Sequence, residues 1–206
     1  ENYKKAEKIL SKIIKFENTD DINIFTKNSA RSGLYQYYIY QRNYDEAEKY
    51  IYEAVTLLEG TNQRETYYEN LRKLYKVFSA RGQIFEAKDG LKNLILEIED
   101  NFGSESIQLV EPISDYINLL TSNLDHINYN EKYAKRLIKI LKKNKKHKLN
   151  NPYAYASLGG YYYRTKKFNL SEEFFEKSLK YKKYRKSQVE ILLAKVKIEL
   201  KKYKEA

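Results

Sequence analysis

The sequence predicts an all-α protein built from about ten helices in antiparallel pairs, and three observations carry that expectation. Only seven Gly and two Pro occur in 206 residues, too few for the turns of an all-β chain, while Lys, Leu, Glu and Ala fill long helical stretches. Apolar residues recur at i, i+3, i+4 and i+7, as in Leu71, Leu74, Tyr75 and Phe78, the stripe that an amphipathic helix buries. A small residue also opens one helical run after another. Ala6, Ala47, Ala87, Ala134, Ser171 and Ala206 are spaced by 41, 40, 47, 37 and 35 residues.

Taken in order, residues 1–16 read as a half unit: Ala6, Leu10 and Ile13 mark a second helix that lacks its first. Residues 21–59 form a complete pair, with Leu34, Tyr35 and Tyr38 on its first helix and Ala47, Ile51 and Ala54 on its second. Gly60-Thr61 ends that unit and can cap the next, with Glu65 in the following first turn. Residues 61–100 repeat the arrangement, Ala87, Leu91 and Leu94 following Gly82-Gln83. Residues 105–148 are less regular. Ile113, Tyr116, Ile117 and Leu120 supply one helix, and Ala134, Leu137, Ile138 and Leu141 the other. A longer connection around Asp125-His126-Ile127-Asn128 joins them, and Pro112 is expected to kink or restart the first. Asn150-Asn151-Pro152 breaks the chain before the pair at 152–182, since Pro suits a first helical turn. Residues 186–206 supply Val189, Leu192, Leu193 and Val196, then the start of another second helix at Lys202–Ala206. The expectation is one helical-repeat domain over 1–206, cut in mid-repeat at both ends. With no Met anywhere and Glu1 first, the chain reads as a piece of a longer protein.

Tyr155-x-x-Leu158-Gly159-x-x-Tyr162, followed by Phe168, Ser171, Phe175 and Ser178, resembles one tetratricopeptide (TPR) repeat. Ser171 and Ser178 stand where that pattern usually has alanine. The resemblance implies a right-handed solenoid of antiparallel helix pairs, in which each pair needs its neighbours to bury its apolar face. Several spacings exceed the usual ~34 residues, and over about residues 20–145 the chain is similar to the longer TPR variant of kinesin light chains. Asp100–Ser106 resembles the inter-repeat connection of that variant, without its His and Pro.

Chemistry of other kinds finds little support. Without cysteine there is no disulfide framework and no thiolate metal site. No uninterrupted apolar run approaches the ~18 residues of a membrane-spanning helix, and the mean hydropathy is −0.79. His126 and His147 are more than 20 residues apart and lack metal-ligand spacing. There is no phosphate-binding glycine motif and no Ser-His-Asp set, and Gly159-Gly160 is accounted for by helix packing. We therefore expect no catalytic, cofactor-binding or metal-binding residues and no enzyme activity. Localisation stays open, with the cytoplasm favoured by the absence of cysteine and of a signal-peptide pattern.

The TPR resemblance further implies a concave groove lined by the first helix of each pair. Ser32, Gln36 and Tyr40 would line it from one pair, and Arg72, Lys73 and Lys76 from the next. Ser114, Asp115 and Asn118 come from the third; Tyr153, Ser157, Gly160 and Arg164 come from the fourth. Arg72 and Lys76 lie four residues apart on one face, so an acidic peptide is the natural ligand; ordinary solvation of these positions is the alternative. The two-carboxylate clamp of chaperone-binding TPR proteins needs Lys and Asn where Ser32 and Gln36 stand, so no such clamp is expected.

The function expected is a non-catalytic scaffold that binds a protein partner through a peptide or helix. Two other readings stay beside it. The chain can be the sensing or regulatory portion of a larger bacterial transcription factor or signalling enzyme. Alternatively, it can bind nucleic acid through its basic C-terminal part. The net charge of +11 is uneven: residues 1–130 carry 16 Lys/Arg against 21 Asp/Glu, and residues 131–206 carry 23 against 7. A solvated lysine-rich face is the favoured account of this asymmetry. The 22 tyrosines invite base stacking, but Tyr35, Tyr38, Tyr75, Tyr116 and Tyr162 fall on packing positions. That leaves Tyr37, Tyr40, Tyr161 and Tyr163 as candidates for exposed contact, and the run Leu141–Lys148 as a helix end entering a basic loop.

Overall fold

The structure is a computed structural model that describes residues 2–15, 22–122, 131–144, 151–181 and 186–201. Among these there are ten α-helices, one 3₁₀ turn and no strand. Residues 123–130 with His126, 145–150 with His147, and 202–206 with Ala206 lie outside the described residues. The chain falls into two compact units, Glu1–Gly90 and Leu91–Ala206.

In the first unit α1 (Asn2–Lys15) packs on α2 (Ile24–Tyr40), α2 on α3 (Tyr44–Leu58), and α3 on α4 (Arg64–Ala80). Helix α5 (Ile84–Phe102) begins here. Of the small anchors in this unit Ala47 and Ala87 are fully buried, as are Ala54, Leu34, Ile51 and Val77, but Ala6 on α1 is exposed. Tyr38 stacks on Tyr50 at 5.6 Å, and its hydroxyl donates to Glu7 at 3.0 Å. Burial, and then Glu7, raise the Tyr38 pKa.

The second unit takes the remainder of α5, a 3₁₀ turn (Ile107–Leu109), α6 (Val110–Ser122), α7 (Glu131–Lys143), α8 (Pro152–Arg164), α9 (Phe168–Leu179) and α10 (Lys186–Glu199). Pro112 sits in the first turn of α6, where its missing N–H costs nothing, so the chain restarts there after the 3₁₀ turn. Asn151 caps α8, its side chain accepting from the Ala154 N–H at 2.9 Å with Pro152 next in line. Thr61, by contrast, accepts from the Gln63 N–H, and Gln63 occupies the cap position of α4. Phe175, Val189 and Val196 join α8, α9 and α10 into one core cluster.

One turn recurs in both units. Gln41-Arg42-Asn43, Arg81-Gly82-Gln83 and Thr165-Lys166-Lys167 each link two helices of a pair, with the middle residue at φ +57°, +83° and +57°. In each, the third residue's N–H returns to a carbonyl five residues back, Tyr38, Phe78 and Tyr162, all at 2.9 Å. The middle N–H bonds Ile39, Ser79 and Tyr163, all at 3.1 Å. This is the Schellman closure, which satisfies the last carbonyls of one helix while turning the chain into the next.

Within α8 and α9 the two serines do more than stay small. Ser171 Oγ donates to the Gly159 carbonyl and Ser178 Oγ to the Pro152 carbonyl, both at 2.8 Å. Gly159 itself is a contact requirement. A Cβ built there would lie 2.6 Å from Phe175 Cδ1, closer than such atoms approach.

Candidate functional site

Helices α2 and α4 meet through buried polar side chains in the first unit. Asn70, 0 % exposed, donates from Nδ2 to Asn28 Oδ1 at 2.8 Å, and Ser32 Oγ reaches Asn70 Oδ1 at 3.5 Å. One turn beyond Ser32 comes exposed Gln36, and one turn further Tyr40, 65 % exposed. On α4, Arg72 is half-buried and Lys76 exposed, while the Lys73 ammonium pairs with Glu69 at 2.8 Å, one turn back. The charge of Lys73 thus already has a carboxylate beside it.

The second unit brings four of the expected residues together. Tyr153 on α8 donates its hydroxyl to the Asp115 carboxylate on α6. Asn118 Nδ2, one turn along α6, donates to the Tyr153 hydroxyl at 3.0 Å and to Ser157 Oγ at 2.9 Å. Ser157 Oγ in turn donates to the Tyr153 carbonyl at 2.9 Å. Asp115 is 5 % exposed and Ser157 is buried, while Asn118 and Tyr153 are half-buried, so the cluster is fixed beneath and reachable above. Both amide protons of Asn118 are committed, and its Oδ1 makes no hydrogen bond among the described residues.

The same face of α8 continues through Gly160 to Arg164. A Cβ at Gly160 would meet nothing within 4 Å, so the backbone there lies open to an approaching chain. Arg164, in the last turn of α8, is exposed and has no ion pair among the described residues. Ser114 does not join this face: it is fully buried and donates to the Val110 carbonyl.

Tyr161 is a correction. It is 3 % exposed, not available for contact, and burial, aided by Glu131, pushes its phenol up to about 12. It is edge-on to Tyr162 at 5.1 Å, so these two adjacent tyrosines of α8 are both buried. Tyr37 and Tyr163 are half-buried, and Tyr40 alone of the four is well exposed.

Arg136 binds Glu99 at 2.6 Å and the Ser104 carbonyl, and Lys139 and Lys143 grip the two oxygens of Glu105. Lys135 and Lys167 share Glu131, and Lys177 pairs with Glu173. No group of three or more His, Asp or Glu that could hold a metal occurs among the described residues. No described helix is long and apolar enough to cross a membrane.

A feature the sequence reading missed lies between α7 and α9, where Ile138, Tyr155, Tyr162, Leu170 and Phe174 line a cavity of about 250 Å³. Its signal was the i, i+3, i+4, i+7 set Leu170, Glu173, Phe174 and Lys177, a second stripe on α9 beside the Ser171–Phe175–Ser178 packing stripe.

No protein-family model and no curated protein sequence matches the chain. Solved structures do. BtubC (BKLC) from P. vanneervenii aligns over 100 % of this chain and 84 % of its own, with a TM-score of 0.72 at 14 % identity. The nearly identical TPR-like repeats of a putative kinesin light chain from Podosopora anserina align over 87 % of this chain and 89 % of theirs, with a TM-score of 0.64 at 14 % identity. A substituted form of the same repeats gives 0.59 at 15 % identity, over 95 % of this chain and 87 % of its own. The fold is TPR-like. The match extends to repeats of kinesin-light-chain type, in keeping with the long anchor spacings; at these identities it speaks for architecture only.

Proposed function

We propose that this TPR-like chain is a non-catalytic interaction scaffold that holds an extended peptide or a partner helix against its first helices. The observation that carries the reading is the Asp115–Tyr153–Asn118–Ser157 cluster. Four polar side chains from two adjacent first helices are locked by one another at the edge of solvent, which is how a rigid recognition surface is prepared. An incoming backbone N–H would bond Asn118 Oδ1, pass over Gly160, and leave a ligand carboxylate to Arg164. On the first unit Gln36, Tyr40, Arg72, Lys73 and Lys76 offer a separate face on α2 and α4, suited to an acidic segment.

The test is affinity capture followed by calorimetry with the recovered partner, using the wild-type chain, Asn118→Ala and Arg164→Glu. Both substitutions should leave the helical circular dichroism spectrum intact and weaken binding by roughly tenfold or more. A partner that binds all three proteins equally, or a substrate turned over by the chain, would overturn the proposal.

Placement within a larger bacterial regulator or signalling enzyme is compatible with the same face, because a sensing repeat also works by binding. Nucleic-acid binding is the weaker alternative, since Arg136, Lys139 and Lys143 would have to surrender carboxylate partners to reach phosphates. Binding to RNA or DNA that falls steeply with salt and disappears on removing the lysines of 131–206 would favour it instead.

A further inference from the structure

The cavity of about 250 Å³ in the second unit lies away from the proposed peptide face, on the side where the second helices α7 and α9 flank α8. Its floor is aromatic. Tyr162 stacks on Phe174 with centroids 5.5 Å apart and planes 10° from parallel, and Tyr155 stacks on both Phe174 and Tyr181 at 6.4 Å. Ile138 and Leu141 wall one side, and Leu170, 39 % exposed, forms the opposite lip. Lys177 crosses the rim, held by Glu173 and placed 5.0 Å over the Phe174 ring. Lys142 stands opposite, exposed and without an ion pair among the described residues.

We propose that this cleft is a second docking site, which takes one large apolar side chain from an acidic protein segment, with an Asp or Glu next to that side chain reaching Lys142. The volume fits a single buried anchor and falls just under the range of about 300–1,000 Å³ that small-molecule sites usually span. The aromatic floor supplies what an anchor residue needs: flat rings, already ordered by mutual stacking, with little side-chain freedom left to lose on binding. Charge selects the flank. Helix α7 carries six Lys/Arg against one Glu, and all its cations except Lys132 and Lys142 are engaged with carboxylates of this chain. Of those two, Lys142 is the one at the cleft. An acidic flank therefore gains a partner at the rim, and a basic one is repelled.

A displayed library of random twelve-residue peptides, selected on the wild-type protein, tests this directly. Recovered binders should pair a Trp, Phe or Leu with a neighbouring Asp or Glu. Their synthetic, labelled forms should lose roughly tenfold or more in affinity for Lys142→Glu and for Leu170→Asp. Both positions are exposed, so far-UV circular dichroism should match wild type. Binding should be unaffected by Asn118→Ala and Arg164→Glu, which keeps this site distinguishable from the first-helix face. Failure to recover any binder, recovered peptides without the apolar–acidic pairing, or peptides that tolerate both cleft substitutions would overturn the proposal.

Discussion

The middle position of the three Schellman turns described holds a left-handed backbone, and the residue there differs between turns that are otherwise alike. Gly82 meets φ +83° without steric cost, whereas Arg42 and Lys166 meet φ +57° with a Cβ that crowds the following carbonyl. Gly82→Ala should therefore lose about 1 kcal/mol, and Lys166→Gly should gain up to about 1 kcal/mol, read from the urea midpoints at constant slope. The adjacent glycines of α8 should respond with opposite signs. At Gly159 any side chain meets the buried Phe175 ring, so Gly159→Leu should cost about 1–3 kcal/mol. At Gly160 there is open space, and Gly160→Ala should gain about 0.5–1 kcal/mol from helix propensity alone. Equal responses at the two positions would contradict the packing described.

Single helices show how polar atoms hold apolar pairs together. Ser171 and Ser178 tie α9 to carbonyls of α8, so Ser171→Ala, though smaller still, should cost about 1 kcal/mol of thermal or urea stability. Helix α7 is fastened by charge. Hydrogen bonds from Lys139 and Lys143, with their charges, hold the Glu105 carboxyl at about 2, below its ordinary 4.5. A folded value below the unfolded one means that the stabilisation is complete above about pH 4.5 and is lost as pH falls toward 2. Melting temperatures across that range should fall less steeply for Glu105→Gln than for wild type, and high salt should shrink the difference because the pair is exposed. Parallel profiles for the two proteins would show that the pair does not contribute.

At the scale of the whole chain, a repeat protein stores its stability in each helix pair and in the contacts between neighbours. Overpacking at buried Ala47 should consequently raise amide exchange first in α2–α4, and Gly159→Leu first in α8–α10, rather than everywhere at once. Much of this architecture was legible beforehand. Apolar periodicity and the small anchors are local signals, so Ala47, Ala87, Ala134 and Ser171 could be located as buried contact points without a structure. The polar cluster of α6 and α8 was legible in part. Helical spacing placed Asp115, Asn118, Tyr153 and Ser157 at comparable positions, but not in a common hydrogen-bond network, because that depends on how α6 and α8 meet. Two adjacent tyrosines such as Tyr161 and Tyr162 look alternately buried and exposed on one helix, yet both are buried, since α8 has neighbours on more than one side. By itself the sequence determined helix type, helix order and the apolar stripe of each helix, all of which follow from periodicities within about four residues. Only the tertiary structure decided which cations meet carboxylates distant in the sequence, which polar groups lock together, and that an aromatic-floored cleft opens between α7 and α9. Those outcomes are set by side chains some 30 to 40 positions apart, such as Asn118 and Ser157, or Arg136 and Glu99, and no local pattern encodes such a meeting.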